Sequence, residues 1–204
     1  MNRELLTHYK KLVRQFETEN KIIEKGGIVF VGDSITENFP LEAFFGDKQI
    51  INRGISGDTT KGLLKRLEAS VLVIEPSVVK VLIGTNDFGH FSHQSPKTVF
   101  ERVSKAITEI KIRLPNTKIC VEAVYPVNYQ INPEAVNSRD NQEILILNKF
   151  LKEVSGITFL DYYKALSNDS GDLSEAYTDD GLHLNYNGYK LVTTLLKQSI
   201  PELN

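Results

Sequence analysis

The sequence holds one cysteine, Cys120, in 204 residues. No internal disulfide can form, and a four-cysteine zinc site is excluded. An excess of positive charge is also lacking. The 24 Lys and Arg stand against 26 Asp and Glu, a formal net charge of −2. Without a basic surplus to neutralise phosphates, nucleic acid is not expected as a partner. No apolar run approaches the ~18 residues of a membrane-spanning helix. The stretch from Met1 to Phe16 lacks the unbroken apolar core of a secretion signal. These absences lead to the expectation of a cytoplasmic protein. Internal repeats, low-complexity tracts and long linkers are missing too, so residues 1–204 read as one domain, given roughly 150 residues per domain.

What is present is ordinary globular composition, 41% hydrophobic and 25% charged. Leu5, Tyr9, Leu12 and Phe16 recur at helical spacing, with Lys10, Arg14 and Glu17 on the opposite face. The pattern predicts an amphipathic helix over about 2–24. A basic amphipathic helix can lie on a membrane surface, but this one is expected to pack on the domain or against a second copy in a homodimer. Short apolar runs predict strands at Ile28 to Val31, Gln49 to Asn52, Val78 to Ile83, Lys118 to Val124 and Ile157 to Leu160. Helical patterns separate them, at about Thr59 to Val73, Pro96 to Arg113 (Ser95 as N-cap), Asp140 to Val154 and Tyr186 to Ser199. This alternation predicts an α/β/α sandwich around a parallel sheet. The segment Tyr125 to Ser138, rich in Pro and Asn, reads as a loop at the ligand-binding edge of that sheet.

Four segments carry groups that could do chemistry. Gly32-Asp33-Ser34-Ile35-Thr36 puts a serine hydroxyl directly after a strand. It lacks both the G-x-x-x-x-G-K-[ST] and the G-x-G-x-x-G spacings of nucleotide sites. Asn52 to Thr59 contains Gly54 and Gly57, where a backbone can approach a ligand closely. Gly84-Thr85-Asn86-Asp87 offers a neutral amide donor. Asp180-Gly181-Leu182-His183 can curl so that the carboxylate orients the imidazole and leaves Nε2 free as a base. Each segment alone also reads as a plain turn or a surface pair. Together they supply a nucleophile, oxyanion donors and an oriented base, which a parallel sheet would gather on one edge.

In these blocks the chain resembles the SGNH (GDSL) hydrolase superfamily. Its stretches I-V-F-V-G-D-S-I-T-E-N-F-P and I-N-R-G-I-S-G-D-T-T are similar to the platelet-activating-factor acetylhydrolase-like branch. The resemblance, from about Ile28 to Leu196, implies a flavodoxin-like fold with a five-stranded parallel sheet. It implies catalytic roles for Ser34, Asp180 and His183, and an oxyanion hole of Ser34, Gly57 and Asn86. It also implies a serine esterase acting on small ester substrates, short acyl or acetyl, with no metal or other cofactor. Leu184 and Asn185 follow the histidine where many relatives have proline.

Two other readings stand beside it: a metal-dependent phosphoesterase using Asp33, Asp87, Asp180 and His183, and a non-catalytic binding module. Asp33 and Asp87 are expected to anchor the loops that flank the site. His90 and His93 read as solvated or capping residues, Cys120 as core, and Arg53 as a helix-facing surface residue. Lys80, inside a strand, must reach an edge or pair with a carboxylate.

Overall fold

The computed structural model describes residues 3–89 and 92–204. His90 and the start of the N-terminal helix at residue 2 lie outside them. The first part of the chain runs α1 (Arg3–Glu19), β1 (Ile28–Gly32), α2 (Ser34–Glu37), α3 (Leu41–Phe45), β2 (Ile50–Gly54), α4 (Thr60–Leu67) and β3 (Val78–Leu82). It continues with α5 (Pro96–Arg113), β4 (Lys118–Glu122), α6 (Pro133–Val136), α7 (Asn141–Lys152), β5 (Thr158–Leu160), α8 (Tyr163–Leu166) and α9 (Tyr186–Ser199). The five strands form one sheet in the order β2-β1-β3-β4-β5, with every pairing parallel.

The strands alternate between two apolar layers. Val29, Val31, Val79, Val81, Ile119 and Val121 join the cluster that includes Leu63 of α4, Val103 of α5 and Leu147 of α7. Ile28, Phe30, Val78, Leu82 and Cys120 face the opposite cluster, with Phe39, Val192 and Leu196. Continuous apolar runs are what a sheet covered on both faces requires. Ser95 caps α5 through its side-chain oxygen as expected, and Asp140 and Asn185 cap α7 and α9 in the same way.

The helix α1 stops at Glu19, short of the predicted 24. Asn20 turns its side-chain amide to the Ala69 carbonyl (2.7 Å) instead of continuing the helix. Phe16 is the buried residue of α1, and the Arg53 guanidinium lies 4.4 Å from its ring centroid. Arg53 faces a helix as expected, but it is buried at 2% exposure, not on the surface. It donates to Glu19 and Asn20 (3.0 Å for the latter), which ties β2 to the end of α1.

Lys80 takes the second of its two options. Its ammonium donates to Glu122 Oε2 at 2.6 Å and lies 4.6 Å from the Phe30 ring centroid. Tyr125 donates its hydroxyl to the other Glu122 oxygen at 2.8 Å. Paired, hydrogen-bonded ions are the form in which buried charge is tolerated.

Candidate active site

The connections leaving β1, β2 and β3 meet where the chain passes from one side of β1 to the other, the switch point at which open α/β sheets bind ligands. Asp33 follows β1 and caps α2, its Oδ1 accepting from the Ile35 N–H at 3.0 Å. This turn places Ser34 at the start of α2. Tyr189 of α9 donates to the Ile35 carbonyl at 2.8 Å and fixes α2 from below. Ser34 Oγ lies 3.0 Å from His183 Nε2, and His183 Nδ1 lies 2.7 Å from Asp180 Oδ2. The other Asp180 oxygen accepts the N–H groups of Leu182 (2.9 Å) and His183 (2.7 Å). Burial acts to raise the Asp180 pKa, but these bonds from His183 and Leu182 outweigh it and hold the group below its ordinary value. Gly181 has φ +75, and a Cβ there would stand 2.2 Å from the Asn128 carbonyl. Asn128 N–H donates to Gly181 O at 2.7 Å, so the Tyr125–Ser138 loop supports the histidine turn.

The Gly57 loop packs against the nucleophile turn. The Ile55 N–H donates to Gly32 O at 3.0 Å, and Glu37 of α2 accepts from the Ser56 N–H. Gly57 has φ +73, a left-handed conformation that favours glycine, and a Cβ would press on Leu5 at 2.9 Å. Among the described residues, no protein group accepts from the Ser34 or Gly57 backbone N–H. Asn86 gives one amide hydrogen to the Asp58 carbonyl at 3.0 Å and its oxygen accepts from Arg139 Nη2 at 2.8 Å. An amide nitrogen carries two hydrogens, so one remains for a ligand.

Two arginines organise the loops, and sequence reading singled out neither. Arg139 also donates to Thr85 O and Oγ1 (both 3.1 Å) and to the Ala135 and Val136 carbonyls (3.2 and 3.0 Å). Arg66 is fully buried. It bonds Asp58 (2.7 Å), the Arg53 carbonyl (2.8 Å), the Gly32 carbonyl (2.8 Å) and Ser70 (2.9 Å). One guanidinium thus joins the ends of β1 and β2 to the loop before α4. The only forward signal for Arg66 was a charged residue on an otherwise buried helix face.

The flanking carboxylates Asp33 and Asp87 both accept hydrogen bonds from the site loops. Asp87 accepts from Thr60 N (2.8 Å) and Oγ1 (2.6 Å), with Arg102 at 3.4 Å. Burial raises the pKa values of Asp87 and Asp58, and pushes Asp33 up to about 6. Among the described residues, no group of three or more His, Cys, Asp or Glu is placed to hold a metal. The four-residue cluster of the phosphoesterase reading is therefore not assembled. His93 bonds the Phe88 carbonyl (3.3 Å) and is otherwise largely exposed. Beside Gly57 and Asn86 lies a cavity of about 540 Å³, one wall of which is Leu5, Leu6 and Tyr9 of α1. No helix among the described residues is long and apolar enough to cross a membrane.

The GDSL-like Lipase/Acylhydrolase family matches residues 30–191 of the chain. Along 99% of its length the chain is 28% identical to N-acylneuraminate cytidylyltransferase of Escherichia coli O18:K1:H7, of which it spans only 46%. It is 29% identical to the human platelet-activating factor acetylhydrolase IB subunit alpha2, covering 86% of this chain and 76% of the relative. A solved structure from Streptococcus pneumonia, provisionally named a platelet activating factor, superposes with a TM-score of 0.87 at 31% identity. The match covers 95% of this chain and 93% of that one.

Proposed function

The chain belongs to the GDSL-like lipase/acylhydrolase family, and from that premise we propose that it hydrolyses carboxylic esters through an acyl-enzyme on Ser34. The observation that carries the proposal is the unbroken run from Ser34 Oγ through the His183 ring to Asp180, at 3.0 and 2.7 Å. In this reading His183 Nε2 takes the hydroxyl proton as Ser34 Oγ attacks the ester carbonyl. The electron pair displaced onto the carbonyl oxygen is held by the N–H groups of Ser34 and Gly57 and the free Asn86 amide hydrogen. One such donor is worth about 10²–10³ in rate. The intermediate collapses, the ester C–O bond breaks, and His183 gives its proton to the leaving alcohol. Water then attacks the acyl group, losing a proton to His183. The second collapse releases the carboxylic acid and returns the proton to Ser34. Asp180 keeps the imidazole in the required tautomer throughout. Arg139 acts as a positioning residue, turning the Asn86 oxygen away from the reacting carbonyl.

The acid part of the ester is proposed to be acetyl or another short acyl group, in keeping with the acetylhydrolase relative. Cytoplasmic residence and pairing of two copies through α1 belong to the same proposal and rest on the sequence; cell fractionation and sedimentation test them. The decisive experiment uses p-nitrophenyl acetate and a fluorophosphonate probe. The wild-type protein is expected to turn over the ester and take one label on Ser34. Ser34→Ala should lose both while keeping its circular dichroism spectrum. Undiminished hydrolysis by Ser34→Ala would overturn the proposal.

A further inference from the structure

The cavity beside Gly57 and Asn86 is lopsided in charge. Lys61 and Lys65 of α4 line it together with the apolar residues of α1, and Arg139 is the remaining charged residue of the lining among the described residues. Among the described residues, every charge on the lining is positive, in a chain whose formal net charge is −2. The carboxylates behind this wall are already engaged, Asp58 by Arg66 and Asp87 by Thr60 and Arg102. Among the described residues, neither Lys61 nor Lys65 has an ion-pair partner, and both are exposed. Arg139, in contrast, is committed to Asn86 and the loop carbonyls.

The spacing of the two lysines carries a cost within their own helix. Four residues apart, they share one face, where like charges repel. Lys61 sits in the first turn, where the Asp87 carboxylate accepts the Thr60 N–H and offsets the helix dipole, and Lys65 sits in the last turn, where the dipole favours a cation. A bound anion between the two side chains relieves that repulsion. The cavity size suits a small molecule, and Gly57 and Asn86 on its border connect it to the reacting carbonyl.

We propose that this cavity is a subsite for an anionic group on the substrate, so that the preferred ester carries a carboxylate or a phosphate held by Lys61 and Lys65. The inference rests on the esterase reading above, and its test separates the two. Matched esters differing only in charge are compared: p-acetoxybenzoate with p-acetoxybenzamide, acetoxyethyl phosphate with methoxyethyl acetate, and p-nitrophenyl hemisuccinate with p-nitrophenyl butyrate. The first and third pairs place a carboxylate on the alcohol and acyl sides, and the second places a phosphate.

The reading is the ratio of kcat/KM for the anionic over the neutral member. In at least one pair this ratio is expected to fall roughly 5- to 20-fold in Lys61→Gln/Lys65→Gln, and to fall with added salt in the wild type. The control Lys105→Gln/Lys149→Gln removes the same charge from exposed positions elsewhere and should leave the ratio within twofold. A double variant whose ratios all match the wild type, or a control that lowers them equally, overturns the subsite. Failure of the wild type on all six esters, or turnover that persists in Ser34→Ala, overturns the esterase reading instead.

Discussion

A neutral amide serves an oxyanion only if it is held the right way round, and at Asn86 that task falls to Arg139. Its Nη2 holds the amide oxygen at 2.8 Å, while burial lowers the guanidinium pKa against the opposing pull of Asp33 and Asp180. Without that contact the amide can turn its oxygen toward the developing negative charge. Arg139→Met is expected to lower kcat about 10- to 100-fold with little change in KM. In an Asn86→Ala background the same substitution should cost at most a few-fold, because the two side chains act as one unit. Steady-state kinetics on the four proteins of this cycle checks it, and additive losses would reduce Arg139 to a structural support. The contrast between these residues explains what was legible in the sequence. Ser34, Gly57, Asn86, Asp180 and His183 stand in short blocks beside strands, and their chemistry is visible in residue type and spacing. Arg139 lies 53 residues from the amide it holds, and Arg66 acquires its role only when the ends of β1 and β2 are side by side.

The strands and long helices were legible for local reasons: apolar runs, capping residues and a 3.6-residue period. The helix α1 was legible as a helix but not as part of the site. Leu5 lies against Gly57, Tyr9 donates to the Gly62 carbonyl at 2.9 Å, and His8 Nε2 lies 2.8 Å from Glu37, whose carboxylate also takes the Ser56 N–H. These contacts join α1 to elements far along the chain, so no local pattern announces them. The anchor of the helix is Phe16 beneath Arg53. Phe16→Ala is expected to cost about 3 kcal/mol of unfolding free energy, since the guanidinium also loses its ring contact. With α1 loosened, KM for small esters should rise several-fold while kcat stays within about twofold. Urea denaturation and Michaelis kinetics check the two parts, and an unchanged KM would separate the cavity from this helix.

At the scale of the whole molecule, acid–base balance follows from carboxylates buried under the site. A group whose folded pKa is raised holds its proton longer when folded than when unfolded. Its contribution therefore favours folding at low pH and weakens as pH rises from its unfolded value. For Asp33 the window runs from 3.8 to about 6. Asp180, with its pKa lowered, acts in the opposite sense and adds stability that is lost as pH falls through its folded value. Asp33→Asn keeps the cap acceptor and removes the charge, so it is expected to gain on the order of 2 kcal/mol at pH 7 and nothing near pH 4. Urea unfolding at the two pH values measures this, and an equal effect at both would show that the charge is not the cause. The Lys80–Glu122 pair bears on how the sheet is assembled. Lys80 stands opposite Cys120, and Glu122 follows two positions along, on the same face of the sheet. If β3 and β4 slipped by one residue, every side chain of the moving strand would change faces. A slip of β3 would turn the ammonium, without its counter-ion, into the apolar layer of Val29, Val31, Ile119 and Val121. Among strands so uniformly apolar that hydrophobicity alone barely distinguishes one alignment from the next, a single charge pair makes the wrong alignment expensive and so proofreads the pairing as the chain folds.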